Sequence, residues 1–256
     1  MFSIPFNQTQ ILFTLLLAGQ MILLIVLYGR DRTRLHPWFA ASVMLTAFKE
    51  LVDRLLFERV PQIPYEFIKD SLAFFTVLVS IGVLIEVGLQ LFPGVAVKSR
   101  LLAGGAIGVL AGIVVYLWGP WAANGDIGFK SQIGVINLLL IIASHSQQVL
   151  VPSATVLLGL LGLFALRGKH GVWRTHTAKI LAGLTTIALM FLVVRAAGQS
   201  IAIRANAHGM TPKEFAQIED LMDHLRTLPF VTLIIVQIWW INALWKDEPV
   251  VKKLEG

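Results

Sequence analysis

The sequence predicts an all-α, polytopic bundle of seven transmembrane helices, with the N-terminus outside and the C-terminus in the cytoplasm. Three observations predict it. Mean hydropathy is +0.76 over 256 residues, far above the range of water-soluble chains. Apolar runs recur between short polar links, and a hydrocarbon core about 30 Å thick takes roughly 20 such residues per helix. Lys and Arg gather in alternate links, as the positive-inside rule requires. Helices of that length fill the chain, so residues 1–256 read as a single membrane domain with no second soluble domain. Cysteine is absent, which excludes disulfides and thiolate chemistry. The net charge of +6 belongs to the same loop bias, and nucleic acid is not expected as a partner. No Lys or Arg precedes the first apolar run, so that run reads as a permanent span rather than a cleaved leader. The expected location is the plasma (inner) membrane, multi-pass, with the lipid bilayer as the main partner.

The first span runs from about Ile11 to Tyr28 and stops at "GRDRTR". The second opens at Pro37, a residue suited to a first helical turn, and continues to about Arg59, where "VPQIP" breaks it. The third covers about Tyr65 to Phe92 and ends at Pro93-Gly94. The fourth covers about Leu101 to Trp121 and ends at "AANGDIG". Within it Gly104, Gly108 and Gly112 recur every four residues, a small-residue ridge expected to pack against a neighbouring helix of the same chain. The fifth segment, Ser131 to Leu166, is 36 residues or about 54 Å of helix, too long for one perpendicular span. It reads as one helix kinked at Pro152; two short spans divided at "VPSA" are the alternative. The sixth runs from about Thr177 to Ile203 and the seventh from about Leu228 to Trp245.

Loop charge decides between these counts. Seven spans put Arg30, Arg32, Arg34, Lys98, Arg100, Arg167, Lys169, Arg174, Lys179, Lys246, Lys252 and Lys253 on one side. The other side receives only Arg59, Lys130, Arg204 and Lys213. Splitting the fifth segment would carry "RGKHGVWR" to the poor side and spoil the asymmetry. Trp38, Trp173, Trp239, Trp240 and Trp245 near the inner ends, with Trp118 and Trp121 near an outer end, fit an aromatic belt.

The stretch "AFKELVDRLLFER" places Lys49, Glu50, Asp53 and Arg54 inside the second span. Each buried charge costs at least about 2.5–3.5 kcal/mol near a helix centre, so such residues need partners or a function. Lys49 with Asp53 and Glu50 with Arg54 are both i, i+4 and can pair along one helix. The third span adds Glu66, Lys69 and Asp70 at the same level, and the sixth adds Arg195 and Arg204. The approach to the seventh adds Glu219, Asp220, Asp223, His224 and Arg226. Two readings stand. The charges form a salt-bridge network that pins helices together. Or they line an outward-facing cavity for a small polar ligand, with Lys49, Glu50, Asp53, Arg54, Lys69, Asp70, Arg195, His145, Asp223 and His224 as candidate contacts. A proton path needs charges through the full thickness, and the inner half offers mainly Glu86.

Residues 205–227 read as an outer loop with an amphipathic helix leading into the last span. Thr211, Pro212 and Glu214 form a helix start, and Phe215, Ile218, Met222 and Leu225 share one face. This helix either lies over the bundle mouth or extends the seventh span outward. Asp220, Asp223 and His224 supply two or three metal ligands without a clear fourth, so no metal site is expected. His145, among Ser144, Ser146, Gln147 and Gln148, reads as a hydrogen-bonded packing residue. Haem would need a second histidine at its depth, and no cofactor is expected. Retinal is excluded because no lysine lies between Leu228 and Trp245.

Two stretches carry a resemblance: "LYGRDRTRLHPWFAASVM", a basic link before Pro-Trp-Phe, and "YEFIKDSLAFFTVLVSIGVLIEVGLQLFPG", an aromatic-led helix with Glu86 near its inner end. Together they resemble an uncharacterised group of seven-span bacterial integral membrane proteins of acidobacterial type, over about the first 100 residues. That group usually shows Tyr-Trp and a Glu where this chain has Tyr65-Glu66 and Asp70; Glu86 matches. The resemblance implies a topology in a bacterial inner membrane and no activity.

The expected function is a receptor-like or sensor-like protein binding a small polar ligand in the charged outer cavity. After Trp245 comes only "KDEPVVKKLEG", so a signal is expected to pass to another membrane protein or a cytoplasmic partner at the basic inner loops. The alternative is a structural or accessory subunit of a membrane complex. A lipid-handling enzyme or a transporter ranks behind both. The six histidines form no HxxxH or HExxH and no Ser/His/Asp set stands out, so the residues lean against an enzyme. Inverted repeats, the mark of many transporters, are not found either.

Overall fold

The computed structural model describes residues 8–56, 59–92, 104–110, 112–113, 131–165, 174–207 and 212–247, with some side chains inside these ranges left out. Helix α1 is Gln8–Gly29, α2 Pro37–Leu56 and α3 Gln62–Leu91. Residues 104–110 and 112–113 are helical; the rest of the expected fourth span lies outside the described residues. Helix α4, Gln132–His145, runs through a π-helical turn, Ser146–Leu150, into α5, Val151–Ala165. Helices α6, His176–Ala207, and α7, Pro212–Trp245, complete the bundle. Every element among the described residues is helical.

Five helices are long and apolar enough to cross a membrane by length and composition: Gln10–Gly29, Gln62–Leu91, Ile133–Phe164, His176–Ile201 and Asp220–Trp245. Their outward faces are apolar, with Ile25, Phe164 and Ile238 all more than 60% exposed. In water such a surface would drive aggregation; against lipid it has no cost. Helix α2 is long enough at 20 residues, but Lys49, Glu50, Asp53 and Arg54 keep it out of this apolar class.

Helices α1, α2, α3, α5, α6 and α7 pack in that order as a closed ring, α7 returning to α1, while α4 leans on α3. At one end, here the base, the link from α1 to α2 meets the C-termini of α3 and α7. Arg32 donates to Lys246 O at 3.2 Å, and Gln90 Nε2 donates to Leu35 O. The apolar core fills this basal half: Leu23, Leu27, Phe39, Val87, Leu181, Trp240 and Leu244 are all buried. Trp38 lies against Gly82 and Trp240 against Gly183, where an added Cβ would come within 2.5 Å of the indole ring. Gly19 against Gln237 and Gly159 against Thr185 are as tight, and all four glycines let helices approach closely. The expected ridge behaves otherwise: at Gly104, Gly108 and Gly112 an added Cβ would meet nothing within 4 Å among the described residues. Ile107 packs against the core, while Gly104, Gly108 and Gly112 are exposed.

The fifth segment is one continuous helical run, and its irregularity sits just before Pro152. Pro152 has no N–H, and its ring would collide with the carbonyl four residues back. A wider turn absorbs this: Val151 N–H bonds to Ser146 O, five residues back, instead of four. The segment before the last span is likewise settled. Helix α7 is unbroken from Pro212, so the amphipathic stretch extends that helix, with Pro229 inside it, rather than lying across the bundle mouth.

Candidate functional site

The charged side chains gather at the end opposite the base, where α1, α2 and α3 meet. Glu50, half-buried on α2, accepts a hydrogen bond on Oε1 from Gln20 Nε2 of α1 at 3.2 Å. Gln20 is 2% exposed. The i, i+4 ion pairs expected along α2 do not close among the described residues. Arg54 instead lies over the Phe13 ring of α1, 5.9 Å from its centroid. Asp53 approaches the Tyr65 hydroxyl at the start of α3. Asp70, 4% exposed on α3, lies within electrostatic reach of Lys49 across the helix pair and of Lys69 and Glu66 on its own helix. Lys69 pairs with Glu66 at 3.5 Å and faces the Tyr65 ring. The structure therefore brings Lys49, Glu50, Asp53, Arg54, Lys69 and Asp70 together, through contacts between helices as well as along α3.

Several oxygens in this cluster are left over. Glu50 Oε2, Asp53 Oδ1 and Gln20 Oε1 are fully buried and accept no hydrogen bond among the described residues. Gln237 Oε1 of α7 is in the same position, wedged against Gly19 of α1, beside Gln20. A buried polar atom without a partner costs about 1–3 kcal/mol, so a group of them marks a site that something else completes.

Arg195 stands at another point. Its Nη1 donates to Gln148 Oε1 in the π turn. The neighbouring Gln147 donates Nε2 to Ala73 O of α3 at 2.9 Å, so the π turn ties α3 and α6 to the fifth segment. His145, half-buried, sets Nδ1 3.0 Å from Ile141 O one turn back. His224 is exposed on α7 and lies 3.6 Å from Asp220. The side chains of Asp223 and Arg204 lie outside the described residues. Among the described residues no three His, Cys, Asp or Glu are placed to hold a metal ion.

The basal half holds a polar group that the sequence reading credited only with Glu86. Pro37 opens α2 without an N–H, and Ala40 N–H already bonds to His36 O. Trp38 and Phe39 N–H are thus the free donors of the first turn; Glu86 Oε2 of α3 accepts Phe39 N–H at 3.1 Å, and the Trp38 N–H faces the same carboxylate. His36 Nδ1 lies 3.9 Å from the other carboxylate oxygen. One turn below, Thr177 of α6 donates to Gln90 Oε1 at 2.8 Å, next to buried His176. The inter-helix carboxylate cap complements the positive end of the α2 dipole. Gln20, Gln237, His36, Gln90 and Gln147 were missed as partners. Gln20 could have been found: an amide deep in the apolar run from Ile11 to Tyr28 has to bond to a neighbouring helix.

No known protein family, curated protein or solved structure matches the chain.

Proposed function

We propose that this is a seven-span plasma-membrane (inner-membrane) protein, N-terminus outside and C-terminus in the cytoplasm. On this reading the cluster at the outer end of α1, α2 and α3 binds a small polar ligand in the manner of a receptor or sensor. The observation that carries it is the set of buried oxygens on Gln20, Glu50 and Asp53 that accept no hydrogen bond, inside a group of charges that lipid would not otherwise tolerate. The orientation is supported by Arg30, Arg32, Arg34 and Lys246, which share the basal end and would face the cytoplasm. The resemblance of the first 100 residues to the seven-span bacterial group supports the same topology.

A second reading, an accessory subunit of a membrane complex, draws on the glycines at 104, 108 and 112, which meet no neighbour among the described residues and would let a partner helix approach. The absence of cysteine makes the first reading directly testable. A single cysteine at Lys49 should react in intact cells with a membrane-impermeant maleimide, and one at Gly168 should react only after permeabilisation. An unreactive cysteine at position 49, or one reached only from the cytoplasm, refutes an outward-facing binding site.

A further inference from the structure

We infer that the cluster takes a primary ammonium group, the head of a small organic amine, between Gln20, Glu50 and Asp53. The inference rests on the ligand-binding reading above and names its ligand class. The buried atoms left without partners here among the described residues are all acceptors: Gln20 Oε1, Glu50 Oε2 and Asp53 Oδ1, with Gln237 Oε1 of α7 beside Gln20. They lie close together for two reasons. Gln20 Nε2 touches the other oxygen of Glu50, and Glu50 and Asp53 share a face of α2 at i, i+3. An anion would add acceptors to acceptors and be repelled.

The protein's own cations near the site are engaged elsewhere or fall short. Arg54 stacks on Phe13, Lys69 pairs with Glu66, and Lys49 makes no ion pair within 4 Å among the described residues. Carboxylates also outnumber cations here, with Glu50, Asp53, Glu66 and Asp70 against Lys49, Arg54 and Lys69. A primary ammonium carries three N–H donors and no acceptor, enough to serve Gln20 Oε1, Glu50 Oε2 and Asp53 Oδ1 together. A bare metal ion needs a fuller shell of oxygen ligands, and among the described residues no three acidic or histidine side chains are placed to supply one. Gln20 gives the independent mark of a built site: it is 2% exposed, and half of its amide is satisfied by Glu50 while the other half is open.

The test uses the full chain in detergent, with melting temperature read against chloride salts at matched ionic strength. Methylammonium and butylammonium should raise the melting temperature to a plateau. Tetramethylammonium, which has the charge but no N–H, should not. In Glu50→Gln, which keeps the shape and the oxygen facing Gln20, the midpoint should move to about tenfold higher amine concentration. Asp53→Asn gives a second variant with the same expectation. Equal responses to methylammonium and tetramethylammonium, or a Glu50→Gln response equal to that of the wild type, overturn the inference. So does stabilisation by sodium or potassium alone, or stabilisation only by lowered pH, which would mean that a proton fills the site. Should the cysteine at Lys49 label from outside while anions stabilise and amines do not, the amine inference falls and the binding reading stands. If that cysteine never labels, both fall.

Discussion

Glu86→Leu is the sharpest test of what holds the basal half together. Glu86 is 7% exposed and accepts from Phe39 N–H, a free donor of the first turn of α2, with the Trp38 N–H facing the same carboxylate. Leucine fills similar space but accepts nothing, so the Phe39 donor is left buried and unbonded and the carboxylate at the helix N-terminus is gone. The lost bond costs about 1–3 kcal/mol and the helix-dipole interaction adds to it, while removing a buried carboxylate returns part of its desolvation penalty, which leaves a net loss of roughly 1–3 kcal/mol. Glu86→Gln keeps one acceptor oxygen and loses only the charge at the helix N-terminus, about 0.3–2 kcal/mol. The order wild type, Gln, Leu should appear in equilibrium unfolding in mixed detergent and denaturing surfactant. His36→Ala should be less harmful when Glu86 is already Leu than in the wild type, because His36 and the carboxylate are neighbours at 3.9 Å. A Glu86→Leu variant as stable as the wild type would show that the cap contributes nothing and that apolar packing alone fixes α2.

Other expectations follow from particular contacts. Gly183→Ala should cost about 1–3 kcal/mol in the same assay, since its Cβ would meet the Trp240 ring, whose N–H is bonded to Lys179 O. Gly108→Leu should leave stability unchanged; a loss comparable to Gly183→Ala would show that the ridge packs within the chain after all. Exchanging Lys49→Glu with Asp53→Lys should destabilise, although it preserves an i, i+4 pair, because it sets a carboxylate towards buried Asp70; a neutral exchange would show that α2 is self-contained. Arg195→Ala should lose about 1.5–3 kcal/mol through the bond to Gln148, and Gln148→Leu with Arg195→Ala should cost no more than Arg195→Ala alone.

The apolar runs alone made the helices among the described residues legible in the sequence. Twenty or more apolar residues bounded by Pro, Gly and charge leave the backbone one way to satisfy its own hydrogen bonds in lipid. It also located the polar end, because Lys49, Glu50, Asp53 and Arg54 are conspicuous in an apolar run. What it could not supply was partners. Helical spacing says that Glu50 can reach Arg54, but not that Gln20, 30 positions earlier, holds the same carboxylate while Arg54 turns to Phe13. Likewise Gly104, Gly108 and Gly112 had the spacing of a packing ridge, yet the close approaches fall at Gly19, Gly82, Gly159 and Gly183, where side chains of neighbouring helices face them. Period fixes which residues share a face. Which face meets which neighbour depends on how the helices are rotated in the bundle, and only the tertiary structure decides that.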